Sequence, residues 1–207
     1  MKHIAKNTLK RLPVYLSYLK QLPEDQTHIS ATAIAEGLKL GDVQVRKDLA
    51  AVSGAGRPKT GYNRVALIET LEEFLGYDES KEAVIVGAGN LGVAFLEFER
   101  FADYGLNVAA AFDSDITKIG ELPSGKRIYH ISEFADYCAR TKVKIGIIAV
   151  PANDAVQVCE MMTECGIKAI WNFAPTYLSE PDGVHIHNEN LAISLAILSG
   201  YLYDDEE

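Results

Sequence analysis

An α/β chain with a doubly wound parallel sheet, preceded by a small helical module, is predicted by three features of the sequence. A short apolar strand runs into a glycine-rich turn that opens an apolar helix. Apolar runs and helical patterns then alternate to about residue 188, and charge is divided unevenly between the two parts. Residues 1–64 carry 11 Lys and Arg against 5 Asp and Glu, whereas the rest of the 207-residue chain carries 9 against 24, for a formal net charge of −9. Such asymmetry fits a basic module for a polyanion attached to an acidic body. Length and a near-zero mean hydropathy suit modest domains with cores of their own. The expected divisions are 1–77, 78–188 and 189–207.

In the first module Leu9, Leu12, Leu16 and Leu19 recur at three- and four-residue steps and mark one face of a first helix. Pro13 is expected either to kink that helix or to sit in its first turn. Ser30 is placed to cap a short second helix burying Ile34 and Leu38, Gly41 makes a turn, and Asp42 is placed to cap a third helix over 43–52. Val45, Leu49 and Val52 face inward on that helix. Val43, Gln44, Arg46 and Lys47 are left outward near its N-terminus, where a recognition helix meets base edges and phosphates. Residues 53–62 then read as a glycine-punctuated basic hairpin, with Arg57 and Lys59 able to reach DNA backbone or minor groove. The pattern is that of a winged helix; a helical interaction module with merely solvated cations competes with it.

Ala83 to Val86 is a buried strand leading into Gly87-Ala88-Gly89-Asn90-Leu91-Gly92 and a helix over 93–101. Gly87 permits the turn, Gly89 lets a pyrophosphate approach the backbone, and Gly92 allows close helix–strand packing. A second strand over 107–112 ends at Asp113, 21 residues after Gly92, placed to bond an adenosine ribose 2′-hydroxyl. A carboxylate there repels a 2′-phosphate, which favours NAD and NADH over their phosphorylated counterparts. A helix at 132–140, a strand at 145–150, a helix at 154–165 and a strand at 168–173 continue the rhythm of a Rossmann sheet. Ligands in such sheets lie beyond the strands' carboxyl ends, selecting Val150-Pro151-Ala152 and Asn172-Phe173-Ala174-Pro175 as cofactor-lining loops; both prolines also suit strand ends.

His185 and His187 alternate on a short strand without a third metal ligand at fitting spacing, so no metal site is expected. Tyr104, Tyr129 and Tyr137 are expected in or beside the core. Cys138, Cys159 and Cys165 form no C-x-x-C and are expected as free thiols, buried rather than paired. Residues 189–203 are apolar nearly all round, so the helix they form needs a cover. A second copy, exchanging helices in a homodimer, is the economical answer; packing on its own domain is the competing one. Ser194 and Ser199 interrupt the run, which is too short to span a bilayer, and residues 1–8 lack an apolar segment, so a cytoplasmic protein without membrane attachment is expected.

Together these runs resemble the Rex family of redox-sensing transcriptional repressors. The resemblance rests on Arg11-Leu12-Pro13, Tyr18-Leu19-Lys20, Val45-Arg46-Lys47-Asp48-Leu49, Gly61-Tyr62-Asn63, the glycine loop, the Ile145 to Ala152 run, Gly166-Ile167-Lys168, Asn172-Phe173-Ala174-Pro175 and Leu191-Ala192. It implies a homodimer with a swapped C-terminal helix, held on palindromic operator DNA with NAD and released by NADH. It also implies that Ser30 belongs to the DNA-binding set, and Lys118, Phe98 and Asn190 to the nucleotide-binding set. Three positions depart from the family: Ser17, Phe98 and Asn190 stand where an arginine, a tyrosine and an aspartate are common. Loss of the carboxylate removes a charge-assisted bond worth about 1.5–3 kcal/mol. The redox switch is therefore expected either to be compensated elsewhere or to be lost or altered. An NAD-dependent dehydrogenase and a module for another adenosine ligand such as CoA are the alternatives; the first lacks room for a substrate domain and an evident acid–base set.

Overall fold

The computed structural model describes residues 4–77 and 79–204, and the chain divides into two compact units that meet between Glu79 and Ser80. The first unit contains α1 (Lys6–Gln21), β1 (His28–Ile29), α2 (Ala31–Leu38), α3 (Asp42–Ser53), β2 (Tyr62–Asn63) and α4 (Arg64–Leu75). Its core gathers Leu12, Tyr15, Leu16 and Leu19 from α1, Ile34 from α2, Val45 and Leu49 from α3, and Leu67 and Leu71 from α4. Pro13 lies within α1 rather than in its first turn. Leu9, expected on the inward face, is 39% exposed, and Tyr15 takes the buried place.

Local capping chemistry sets the boundaries. Ser30 Oγ accepts the Ala33 amide at 3.0 Å and begins α2. α3 is capped by Gly41 rather than by Asp42, which is its first residue and instead pairs with Arg46 at 3.0 Å. Asn63 caps α4, a helix absent from the sequence reading, by accepting the Ala66 amide at 3.0 Å. The buried Arg64 guanidinium then donates to the Leu19 and Leu22 carbonyls at 3.3 and 3.0 Å, satisfying the end of α1. β1 and β2 pair antiparallel, and beyond them Arg57 and Gly61 exchange two backbone bonds of 2.8 and 2.9 Å around Pro58-Lys59-Thr60. This hairpin is the wing, with Lys59 at its tip in the left-handed region, φ 67°.

One buried acid holds α3 in place. Asp48 is 5% exposed on α3 and accepts from Thr8 Oγ1 at 2.8 Å, Arg11 Nε at 2.7 Å, Arg11 Nη2 at 2.9 Å and Tyr15 Oη at 2.8 Å, all on α1. Burial alone would raise its pKa, but the bonds from Arg11, Tyr15 and Thr8 outweigh it and hold the carboxyl below the ordinary value. Tyr15 is pushed up to about 12 by burial and by the same carboxylate.

The second unit contains β3 (Lys81–Val86), α5 (Asn90–Leu96), β4 (Leu106–Asp113), β5 (Gly120–Glu121), β6 (Arg127–His130), α6 (Phe134–Thr141), β7 (Ile145–Ile148), α7 (Ala152–Glu164), β8 (Ala169–Asn172), β9 (His185–Asn188) and α8 (Leu191–Asp204). Seven strands form one sheet in the order β5-β6-β4-β3-β7-β8-β9. All neighbours are parallel except β5 and β6. Counted over the parallel strands, this is the Rossmann order 3-2-1-4-5-6, which reverses direction at β3. Alternation on β3 builds both faces. Val84 and Val86 join Phe112, Phe134, Ala155 and Met162 on one side; Ala83 and Ile85 join Leu96, Val108 and Ile147 on the other. Phe112 is wholly buried and meets Tyr129, Phe134 and Tyr137 at centroid distances of 5.5, 5.0 and 5.3 Å. Each such pair adds about 0.5–1.5 kcal/mol beyond area burial.

The expected helix over 93–101 is split. α5 ends at Leu96 and a 3-10 helix, Glu99–Tyr104, follows, which leaves Phe98 between them and Tyr104 at 36% exposure on the surface. β5 and β6 were not foreseen. Cys138 and Cys159 are buried and Cys165 half-buried, all free thiols; burial pushes Cys138 up to about 11.

Asp48→Asn is expected to destabilise the first unit by about 3 kcal/mol, because it leaves the Arg11 charge without its partner. The depressed pKa of Asp48 makes its contribution complete above the unfolded value of 3.8 and lost as pH falls through the lower folded value. In urea titrations followed by far-ultraviolet circular dichroism, the gap between wild type and variant should be full at pH 7 and close at acidic pH; a gap independent of pH would contradict this account.

Candidate functional site

A cavity of about 890 Å³ opens where the strand order reverses, at the carboxyl ends of β3, β4 and β7. Its wall includes Gly87, Gly89 and Leu91 of the glycine loop, Asp113 and Lys118, Val150 and Pro151, and Phe173. Val86, Ser114, Asp115, Ile131, Ala149, Asp154, Gln157, Val158 and Met161 complete it, none of which the sequence pattern assigns to the ligand. Ser114 and Asp115 directly follow the carboxylate at the end of β4, so their neighbourhood was legible. Gln157, Val158 and Met161 belong to α7, and only the crossover geometry brings that helix face to the cavity.

The glycines act through what they lack. Gly87 has φ 102°, and a Cβ there would stand 2.4 Å from the Ala149 carbonyl oxygen. A Cβ on Gly92 would lie 1.9 Å from the Gly87 carbonyl oxygen, so α5 starts against the turn only because position 92 is bare. A Cβ on Gly89 would meet nothing within 4 Å, so its bareness serves whatever enters the cavity. Helix α5 begins immediately after it, offering amides and a partial positive charge at its start.

Asp113 occupies the centre of the site. Its Oδ2 accepts from the Ala88 amide at 2.7 Å and from Lys118 Nζ at 3.0 Å, and its Oδ1 accepts from the Asp115 amide at 2.8 Å. Burial would push the carboxyl up, but the Asp115 amide, the Lys118 ammonium and the Ala88 amide outweigh it and hold the pKa below the ordinary value. Asp113 is thus an ionised acceptor at neutral pH, suited to ribose hydroxyls and repulsive to a phosphate in their place. Asp115, itself held low by hydrogen bonds from Thr117, adds a second negative charge to the rim.

The remaining predicted residues are placed differently. Ala88 is buried outside the cavity wall, and its amide is spent on Asp113. Asn90 is exposed at the start of α5, Gly92 is buried behind the turn, and Pro175 is exposed outside the cavity wall. Asn172 is wholly buried and Ala174 nearly so; neither lines the cavity. Phe98 is 49% exposed and packs edge-on to Phe101 at 4.9 Å. Asn190 accepts the Ile193 amide at 3.0 Å and so caps α8. Ser17 accepts from Gln21 at 3.2 Å. His185 and His187 are exposed on β9, with His187 paired to Glu189 at 3.3 Å. No group of three metal-ligating side chains occurs among the described residues.

On the first unit Gln44, Arg46 and Lys47 are all exposed on α3, beside a Val43 that is 55% exposed. Among the described residues Arg46 is tied only to Asp42, in a solvent-exposed pair that costs little to exchange for a phosphate. The Gln44 amide, turned oxygen-first, accepts from Arg11 at 2.8 and 2.9 Å, so Arg11 touches both the buried anchor and the outward face. Ser30 Oγ spends an acceptor site on its cap and keeps its hydroxyl proton free to donate. Arg57 and Lys59 are exposed on the wing. A second cleft of about 310 Å³ lies at its base between His28, Ala55, Gly56, Arg57, Gly61, Tyr62 and Asn63.

Comparison with known proteins adds two family models, one described as putative DNA-binding protein N-terminus over residues 3–50 and one described as CoA binding domain over residues 78–176. A redox-sensing transcriptional repressor Rex from Treponema denticola is 38% identical, with 94% of this chain and 93% of the relative covered. One from Bacteroides thetaiotaomicron is 37% identical over 98% of this chain and 93% of its own length. The crystal structure of RSP with β-NAD+ and operator DNA matches with a TM-score of 0.92 at 32% identity, covering 100% of this chain and 95% of that one. RSP with β-NADH matches at a TM-score of 0.87 and 32% identity, covering 100% and 97%.

Gly89→Ala and Gly92→Ala should separate ligand contact from folding. Gly89→Ala is expected to leave the thermal midpoint unchanged while weakening NADH at least tenfold, because its new methyl occupies space the apo fold leaves open. Gly92→Ala should lower the midpoint as well, since its methyl collides with the Gly87 carbonyl. Differential scanning fluorimetry with an NADH fluorescence titration measures both, and an unaltered NADH affinity for Gly89→Ala would displace the pyrophosphate from this loop.

Proposed function

The chain belongs to the Rex family of redox-sensing transcriptional repressors, and from this we propose that it works as a homodimer on palindromic operator DNA, bound with NAD and released by NADH. It is a DNA-binding redox sensor and not an enzyme, as its relatives are repressors over nearly their whole length. The observation that carries the nucleotide assignment is Asp113, an ionised acceptor beside the glycine turn at the reversal of a parallel sheet. Coenzyme A, named in the description of one matching family model, bears a ribose 3′-phosphate and would meet the Asp113 and Asp115 carboxylates. NAD and NADH present two hydroxyls there instead.

Gln44, Arg46 and Lys47 read the major groove from α3 in this proposal, with Ser30 on the backbone and Arg57 and Lys59 reaching it from the wing. Residues 1–77 bind DNA, 78–188 bind the nucleotide, and 189–207 make the dimer. Support for the dimer comes from α8, whose Leu191, Ile193, Leu195, Ile197, Leu198 and Tyr201 are each more than half exposed. An apolar surface of this extent marks an interface, and a two-fold pair of winged helices matches two half-sites. No helix among the described residues is long and apolar enough to cross a membrane, and operator DNA with the NADH pool fits a cytoplasmic location.

NADH can release DNA only by binding more tightly to a dimer arrangement that DNA disfavours, and the linkage is reciprocal. The nucleotide contacts proposed are Gly87, Ala88, Gly89, Asn90, Leu91, Asp113, Lys118, Val150, Pro151 and Phe173, with Asn172, Ala174 and Pro175 shaping one wall. Ser17, Phe98 and Asn190 make the local contacts described above, and an NADH response in this chain would have to be carried by other residues.

The test is fluorescence anisotropy of a palindromic duplex selected from random DNA, at fixed salt, with NAD or NADH added. Release by NADH alone is expected; binding that neither nucleotide alters would describe a repressor whose switch is lost. Lys47→Ala should weaken duplex binding about tenfold with NADH affinity unchanged. Asp113→Ala should weaken NADH and narrow its advantage over NADPH with duplex affinity unchanged. Equal damage to both functions by either substitution would refute the division of labour.

A further inference from the structure

We propose that the amide pair of buried Asn172 and half-buried Asn188 is a positioning node that carries the state of the nucleotide cavity to the root of α8; the inference rests on the repressor reading above. Asn172 ends β8 with no exposure at all, and the next residue, Phe173, forms part of the cavity wall. Its side chain spends every bond inside the protein. Oδ1 accepts from the Ala174 amide at 3.0 Å, and Nδ2 donates to the Thr176 carbonyl at 2.8 Å and to Asn188 Oδ1 at 2.9 Å.

Asn188 ends β9 and completes the link. Its Oδ1 also accepts from the Leu178 amide at 2.9 Å, and its Nδ2 donates to the Leu178 carbonyl at 3.0 Å. The backbone repeats the connection, with the Glu189 amide bonded to the Asn172 carbonyl at 2.8 Å and the Phe173 amide to the Ile148 carbonyl at 2.8 Å. Helix α8 starts at Leu191, three residues after Asn188.

Shaping the 173–178 loop needs only the Asn172 bonds to Ala174 and Thr176. The bond across to Asn188, and the two from Asn188 to Leu178, add something else: they tie both ends of that loop to the strand that delivers α8. A ligand that displaces Phe173 therefore shifts the β9 end with it, because leaving the buried Asn172 amide unpaired costs more than moving the linked groups together. The node thus joins a cavity residue to the helix whose exposed apolar side chains need a partner.

Asn188→Ala removes the side-chain links without touching the cavity wall, and Asn188→Thr keeps an acceptor for Asn172 in a strand-compatible side chain, providing a folded variant should the alanine change prove too disruptive. In the full-length protein, NADH affinity is read by fluorescence, operator release by anisotropy, and the α8 amides by hydrogen exchange with and without NADH in the absence of DNA. NADH is expected to change α8 exchange in the wild type. In Asn188→Ala the NADH affinity should stay within threefold while the change in α8 exchange and the NADH-induced fall in operator affinity shrink at least tenfold, with Asn188→Thr between the two. Wild-type α8 exchange that ignores NADH, variants that respond as the wild type does, or losses of NADH affinity that merely track thermal midpoints would overturn the node. Failure of NADH to release operator from the wild type would instead overturn the repressor reading, and the α8 exchange would still decide the node.

Discussion

The second unit depends on one carboxylate being kept ionised in a partly buried place. Asp113 ends β4, yet it bonds the Ala88 amide of the turn after β3 and the Asp115 amide of its own loop. Three segments at the carboxyl ends of two interior parallel strands therefore share a single acceptor. Lys118 adds a counter-charge at 3.0 Å, which together with the Asp115 and Ala88 amides outweighs the effect of burial. The same carboxylate fixes the turn, shapes the cavity and sets its sign. Stability and ligand choice cannot be separated at this residue as they can at Gly89, whose missing side chain matters only to an occupant.

The first unit uses a related device for another end. Asp48 gathers Thr8, Arg11 and Tyr15 and so fixes how α3 lies on α1. A recognition helix must expose cations on one face while staying rigid, and apolar packing alone leaves rotation about its axis loosely defined. A charged anchor with four directional bonds defines it. Arg11 extends the anchor to Gln44, so the orientation of an outward side chain is governed from the inside.

Periodicity made most of the fold legible. The glycine loop, the acid after β4 and the alternating apolar runs identify a Rossmann sheet because each is imposed by local geometry. Elements with weak local signals escaped: β5 and β6 are only two and four residues long, and α4 begins at Arg64, a residue that reads as exposed and is buried because it caps α1. Asp42 looks like a better cap than glycine, but the extended backbone falls on Gly41 and the aspartate finds Arg46 instead. The site divides the same way. Residues acting through the backbone next to strand ends were readable, whereas Gln157, Val158 and Met161 reach the cavity from a helix face that no linear pattern assigns to it. Asn172 shows the opposite error, a motif residue read as a contact whose role lies behind the wall.

Trp171 has a consequence of a different kind. It is the only tryptophan in the chain, it stacks on Phe95 at 5.6 Å and meets Phe173, a cavity residue, at 4.4 Å. Its indole nitrogen is buried without a hydrogen-bond partner among the described residues. Indole emission overlaps the absorption of reduced nicotinamide and not that of the oxidised form. The protein therefore carries an optical gauge against a residue of the cavity wall, able to distinguish the two redox states of a nicotinamide bound there without a label.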